Sequence, residues 1–259
     1  MDAAIGFVVA HGDRVDRARL RYLRTGVSPA PEILADAEIG QSPEGGWPAT
    51  WAGAVASVDA TCFRLSELDD LGGLGRPAAQ RALVWLAGRQ QPDGTWEEDE
   101  SLLREAPPWA QPGDPEARLY LTAGAGYWLA LAGPDSPVDV GTVRAAAQAF
   151  AGQLRPDGTW PSFLAAGWLA AALLHRQGMF YESVRIQLVL ADRLPGMSPA
   201  DVASMAAALR RAGVGEETPL LAAARRRLAE TQRSDGGWAS DDGAAFDVHT
   251  TLAAIRACR

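Results

Sequence analysis

Three short stretches place a polar side chain two residues ahead of a threonine: SVDATC (57–62), RLYLTA (118–123) and DVHTTL (247–252). They centre on Asp59, Tyr120 and His249. A carboxyl, a phenol and an imidazole are side-chain types that hold, give and accept protons. Each of the three lies at the start of a predicted helix. Taken alone, Asp59 has a plain reading: in a helical first turn it feels the positive end of the macrodipole, which favours the ionised form. Ser57 is placed to be the N-cap of that helix. No Ser-His-Asp order, Walker loop or Rossmann glycine pattern accompanies them.

Other residues are candidates for binding. The run Glu97, Glu98, Asp99 and Glu100 opens a long insertion, TWEEDESLLREAPPWAQPGDPEARLY (95–120). Four acids invite a Mg²⁺–diphosphate reading, but an acidic loop is expected to be solvated surface. The PPWAQPGD part, with Trp109, is long enough to fold over a neighbouring mouth as a lid. Arg118 is the best cation to meet an anionic head group; the alternative is an ion pair with Asp114, one turn away. Phe63, Tyr127, Trp128, Phe163, Trp168 and Phe246 lie on apolar segments. They are core, or the wall of a cavity whose ring faces stabilise a cation. Small residues between them (Ala123–Gly126, Ala165–Gly167) leave room for a ligand or let helices approach closely.

The elements that must position these residues are helical. The chain has 259 residues, 47% hydrophobic and 22% charged, enough for a large core. In VDATCFRLSELDDLG the apolar positions Val58, Cys62, Leu65 and Leu68 step by three and four. Similar patterns give about twelve helices, near 2–11, 13–24, 28–38, 55–70, 77–89, 116–132, 138–153, 162–176, 180–193, 199–212, 217–231 and 246–258. No convincing strand is seen. Glycines 72, 88, 133, 178 and 213 are placed as left-handed helix stops. Four near copies of one motif punctuate the chain: SPEGGW (42–47), QPDGTW (91–96), RPDGTW (155–160) and RSDGGW (233–238). Each follows an amphipathic helix and precedes a more apolar one, as in a repeat architecture. The expectation is a connector from an outer to an inner helix. Its Gly turns left-handed where the outer helix stops, its preceding Gln (Gln41, Gln90, Gln153, Gln232) caps helix ends, and its Trp covers the joint.

This motif resembles the QW repeat of squalene–hopene cyclases and other class II terpene cyclases, whose fold is shared by protein prenyltransferase β subunits. The resemblance covers about residues 28–258. It implies an all-α structure, a single α6/α6 barrel over residues 1–259, with the helices starting near 55, 116, 162, 199 and 246 on the inside of a hydrophobic cavity. It also implies a role for Asp59. The family's acid motif, Asp-x-Asp-Asp-Thr-Ala, is nearest to SVDATC, which keeps the middle Asp as Asp59 and the Thr as Thr61. Ser57 and Ala60 replace the flanking acids. Asp59 would then protonate an alkene, with Tyr120 and His249 beside it at the cavity mouth and Trp128, Trp168, Phe163 and Phe63 as wall. DVHTTL is also similar to the zinc-binding His-Thr stretch of prenyltransferase β subunits. Asp59, Cys62 and His249 would be the donors, but Asp-x-x-Cys is one residue longer than that family's spacing, so no metal and no cofactor is expected.

The partner implied is an isoprenoid or another apolar small molecule. The rival is a non-catalytic toroid that holds such a ligand or serves a protein partner, with homo-oligomers allowed. Net charge is −8 and the one dense basic run, RRRLAETQR (225–233), reads as a solvated helix face, so nucleic acid is not expected. There is no run of about 18 apolar residues to span a membrane, and the N-terminus reads as a first helix. Two distant cysteines, Cys62 and Cys258, suit a reducing cytoplasm.

Overall fold

The computed structural model describes residues 1–50, 53–133 and 136–259. Twelve α-helices account for most of them: α1 (Asp2–His11), α2 (Arg14–Thr25), α3 (Pro31–Ala37), α4 (Val58–Asp70), α5 (Pro77–Gly88), α6 (Pro115–Leu131), α7 (Val140–Ala151), α8 (Leu164–Arg176), α9 (Phe180–Arg193), α10 (Pro199–Arg211), α11 (Pro219–Thr231) and α12 (Asp247–Ala257). Local chemistry sets their ends. Proline opens α3, α5, α6, α10 and α11, where its missing N–H costs no hydrogen bond. Asp13 and Asp16 form a capping box at α2, and Asp114 caps α6. Gly72, Gly133, Gly178 and Gly213 are left-handed after their helices. Gly88 is instead the last helical residue of α5. The one sheet among the described residues is a two-residue antiparallel pair, β1 (Trp47–Pro48) with β2 (Ala56–Ser57), which ties the first connector to the start of α4.

The even-numbered helices make a closed inner ring. α2 packs on α4, α4 on α6, α6 on α8, α8 on α10, α10 on α12, and α12 returns to α2. The odd-numbered helices lie outside: α3, α5 and α7 each pack on the inner helices before and after them, α9 packs on α8, α11 on α10 and on α9, and α1 on α2 and α12. This is an all-α toroid of six hairpins. The inner helices foreseen near 55, 116, 162, 199 and 246 are α4, α6, α8, α10 and α12. The sixth, α2 (RVDRARLRYLRT), is too polar to read as an inner helix, and it buries only Arg19 and Leu20. Among the described residues no helix is long and apolar enough to cross a membrane.

The connectors work differently from expectation in two respects. The indole N–H of Trp96 donates to Leu86 O at 2.7 Å and that of Trp238 to Leu228 O at 2.9 Å. Both carbonyls belong to the last turn of the preceding outer helix, where the regular i+4 backbone donor is missing, although Leu86 O also accepts the Arg89 N–H at 3.0 Å. The cap is therefore the Trp. The Gln amide reaches forward instead: Gln41 donates to Ala78 O and Gln90 to Thr142 O, in the first turns of α5 and α7, as well as to the Gly carbonyl of its own turn. The motif glycine lies beyond the helix, in a turn pressed on the next hairpin. A Cβ on Gly94 (φ +84°) would sit 2.7 Å from Ala145 O of α7, and one on Gly236 (φ +91°) 2.2 Å from Ala3 O of α1. The last connector thus docks on the first helix.

The recurring threonine completes the joint. Buried Thr61, Thr122 and Thr251 each accept the backbone N–H of Trp47, Trp96 and Trp238, at 2.9, 3.0 and 3.2 Å. Each hydroxyl donates to the carbonyl four residues back at 2.7 Å. The fourth copy departs: the Trp160 indole donates to Phe163 O, and its ring occupies the place a side chain on Gly167 would take.

Candidate functional site

All six inner helices contribute to one cavity of about 320 Å³. Phe63 of α4, Tyr127 and Trp128 of α6, Trp168 of α8 and Phe246 ahead of α12 give it aromatic walls. Arg19 of α2, Asp70 of α4 and Arg256 of α12 make its floor polar. Small residues of α10 (Ala200, Ser204, Ala207 and Ala208) leave the space open.

Asp59 lies one helical turn before Phe63, at the end of the ring where the inner helices begin. Its carboxyl is held from two directions. Tyr120 Oη lies 3.1 Å from Oδ1, and the Trp109 indole N–H donates to Oδ2 at 3.1 Å. Tyr120 comes from the first turns of α6. Trp109 comes from a short 3-10 turn, Pro108–Ala110, in the insertion, which lies against α6. Burial pushes the Asp59 carboxyl above the ordinary carboxylate range, against the pull of these two hydrogen bonds. Burial also raises the Tyr120 phenol well above its usual value, helped by the charge of Asp59. Phe163 packs edge-on to Tyr120, ring centres 6.3 Å apart, and like Asp59, Tyr120 and Trp109 it lies outside the cavity lining. Phe63, Trp128 and Trp168 line the cavity itself.

His249 is not beside Asp59. Its ring sits between Phe63 and Phe246, with centres 5.6 and 6.0 Å away, and its Nδ1 is 2.8 Å from Arg19 Nη1. A guanidinium can only donate, so Nδ1 accepts, the proton is on Nε2, and the ring is neutral. Burial and the Arg19 charge together hold its value below that of free histidine. The reason is α2: the helix that was too polar to read as inner brings Arg19 to the ring interior, where Asp70 fixes it through Nε and Nη2 at 3.1 and 2.8 Å.

Arg118 is not free for an anionic head group, and it does not pair with Asp114 either. It donates to Asp93 and Thr95 at 2.8 Å each, bracing its own connector, because Asp114 is occupied in capping α6. Asp59, Cys62 and His249 form no metal cradle. Among the described residues no group of three His, Cys, Asp or Glu is placed to hold an ion, and a guanidinium against Nδ1 opposes a second cation.

The acidic loop is not uniformly solvated. Glu98 is 5% exposed. Its carboxylate accepts Ser57 Oγ–H at 2.7 Å and the backbone N–H groups of Val58 and Asp59 at 2.9 Å each. Ser57 Oγ in turn accepts Ala60 N–H at 3.0 Å. A second carboxyl therefore sits at the start of the Asp59 helix. The signal for it was present in the spacing: Glu98 lies two residues after buried Trp96 and is buried as well, the alternation of a chain that is extended at Asp99.

No family model matches the sequence, and no curated protein matches it either. Solved structures do resemble it. A crystal structure of a protein from Actinoplanes matches 99% of this chain and 96% of its own, with TM-score 0.65 and 19% identity. The type II terpene cyclase MstE from Scytonema, without ligand, matches 99% of this chain and 95% of its own, with TM-score 0.61 and 14% identity. A variant of MstE in complex with its substrate geranylgeranyl dihydroxybenzoate matches 98% of this chain at TM-score 0.57 and 17% identity. The chain has the toroidal fold of these type II terpene cyclases.

Proposed function

We propose that this protein cyclises an isoprenoid by protonation, with Asp59 as the acid. The observation that carries the reading is the setting of Asp59. Its carboxyl is held by Tyr120 and Trp109 one helical turn before Phe63, which lines the aromatic-walled cavity, and burial raises it above the ordinary carboxylate range. In the reaction the Asp59 O–H bond breaks and its proton joins an alkene carbon, whose π pair forms the new C–H bond. The charge passes to the adjacent carbon and is quenched by the π pair of the next alkene, which closes a ring. Loss of a proton from the final cation gives an isomer of the substrate, and solvent reprotonates Asp59. Phe63, Trp128 and Trp168 would face the migrating charge with their ring faces. The likeness to MstE, whose substrate bears a geranylgeranyl chain, supports an isoprenoid ligand.

The test is incubation with geranyl, farnesyl and geranylgeranyl compounds, with and without a diphosphate or aromatic head, and mass spectrometry of the products. Asp59→Asn should abolish turnover while substrate still binds, since an acid acts on the transition state. Full turnover by Asp59→Asn would sink the assignment. One observation favours a second reading, a toroid that binds an apolar ligand without changing it: Ser57 and Ala60 stand where the family has acids. Tight binding with no product from any of these compounds would select it.

A further inference from the structure

We propose that Glu98 is a positioning residue that keeps the proton on Asp59, resting on the reading of Asp59 as the acid. The difficulty with a lone acid in a first turn is the positive helix end, which drives it to ionise. In α4 that end is already occupied. Two of the N–H groups left over at the helix start, those of Val58 and Asp59, point at the Glu98 carboxylate, and a third, that of Ala60, is taken by Ser57. The Ser57 hydroxyl, engaged by Ala60, gives its own hydrogen to Glu98. Glu98 thus receives three hydrogen bonds, two of them from backbone N–H groups that can only donate, a pattern that favours the anion and opposes the upward push of burial and of the Asp59 charge on its carboxyl.

Asp59 differs. The Trp109 N–H fixes Oδ2 as an acceptor, but the Tyr120 hydroxyl at Oδ1 can turn. It accepts from the protonated acid and donates to the carboxylate left after proton transfer. Protonating Asp59 therefore breaks no hydrogen bond. With Glu98 ionised, a second negative charge at this point is opposed by the first. The other ionisable groups facing Asp59 are Cys62 on its own helix and Tyr120 on α6, with Asp242, ahead of α12, beyond Tyr120. None of these supplies a cation. Glu98 thereby fills the part of the missing flanking acids from a different segment of the chain.

The test is a carboxyl titration by ¹³C NMR in protein labelled at Asp and Glu side chains, with the two signals assigned from Asp59→Asn and Glu98→Gln. In the wild type the elevated midpoint should belong to Asp59. In Glu98→Gln it should fall by on the order of one pH unit, and Glu98→Asp, which keeps the charge, should recover part of that fall. Should Glu98→Gln not fold, the order of the two titrations is read in Asp59→Asn. Glu98 gives up its proton while Asp59 is still protonated, so replacing Asp59 by neutral Asn must leave the Glu98 midpoint in place. An Asp59 midpoint unmoved in folded Glu98→Gln, a Glu98 midpoint that falls in Asp59→Asn, or an elevated midpoint that belongs to Glu98 overturns the proposal. With a turned-over isoprenoid, the high-pH limb of kcat/KM should move down in Glu98→Gln by the same interval, with KM little changed. The titration needs no substrate, so a protein without turnover defeats the cyclase reading and leaves this one to be judged on the midpoints.

Discussion

At the scale of single residues, the setting of Asp59 has a consequence for stability whose sign is fixed. Its folded-state value lies above that of an unfolded chain, chiefly through burial. The stability tied to its proton is therefore complete below the unfolded value and is lost as pH rises through the folded one. Asparagine carries no charge at any pH and can still accept the Trp109 N–H. Thermal melts of wild type and Asp59→Asn should lie close together near about pH 4 and separate toward about pH 7.5, with the variant the more stable. Each pH unit of upward shift corresponds to about 1.4 kcal/mol. Wild type gaining on the variant as pH rises would mean that the site is built for the anion, and the acid role would fall with it. The residue types were legible in the sequence because three superposable helix starts drew attention to them. Their partners were not. Tyr120 joined Asp59 because both open neighbouring inner helices, whereas His249 was claimed by an arginine 230 residues earlier in the chain.

At the scale of elements, the helices and their order followed from periodicity, prolines at helix starts and glycines at helix ends. The connector motif marked each joint, but its atoms act in roles that types alone do not assign. A Trp indole and a Gln amide are both donors, and only the path of the chain decides which meets the spent helix and which the next one. The glycine separates two effects that can be measured. Gly94 and Gly178 both have positive φ, but a Cβ at Gly94 meets Ala145 O at 2.7 Å while one at Gly178 meets nothing within 4 Å. Gly178→Ala should show only the backbone strain, about 1 kcal/mol. Gly94→Ala should add the cost of pushing α7 off its connector and exceed it clearly in chemical denaturation. Equal losses would mean that the connectors do not bear on the following hairpin. Trp96, fully buried and bonded through both nitrogens, should cost about 3–5 kcal/mol as Trp96→Ala.

At the scale of the molecule, the ring has to close, and its first inner helix is its least apolar. α2 offers little hydrophobic surface to α4 and α12, so the closure relies on charge. Arg19 binds Asp70; Arg256 of α12 binds both Asp69 and Asp70; Arg211 of α10 binds Asp69 at 2.9 Å. One pair of adjacent aspartates at the end of α4 thereby holds three other inner helices under the cavity. The pattern DD at 69–70 reads in sequence as an ordinary polar helix end, since its partners lie 51 to 187 residues away. Arg256 and Arg211 hold the Asp69 carboxyl below the ordinary range despite its burial. Its share of stability is present above the unfolded value and is lost as pH falls through the folded one. Asp69→Asn keeps the shape but takes the acidic partner from Arg211 and leaves the largely buried Arg256 to share Asp70 with Arg19. Removing one partner of a buried pair costs about 3–5 kcal/mol, so the variant should unfold at markedly lower denaturant at neutral pH. The gap to wild type should narrow in acid, as pH falls below the ordinary aspartate range and wild type also loses the charge. A variant as stable as wild type at neutral pH would show that helix packing alone closes the ring and that the aspartate pair serves only to shape the cavity floor.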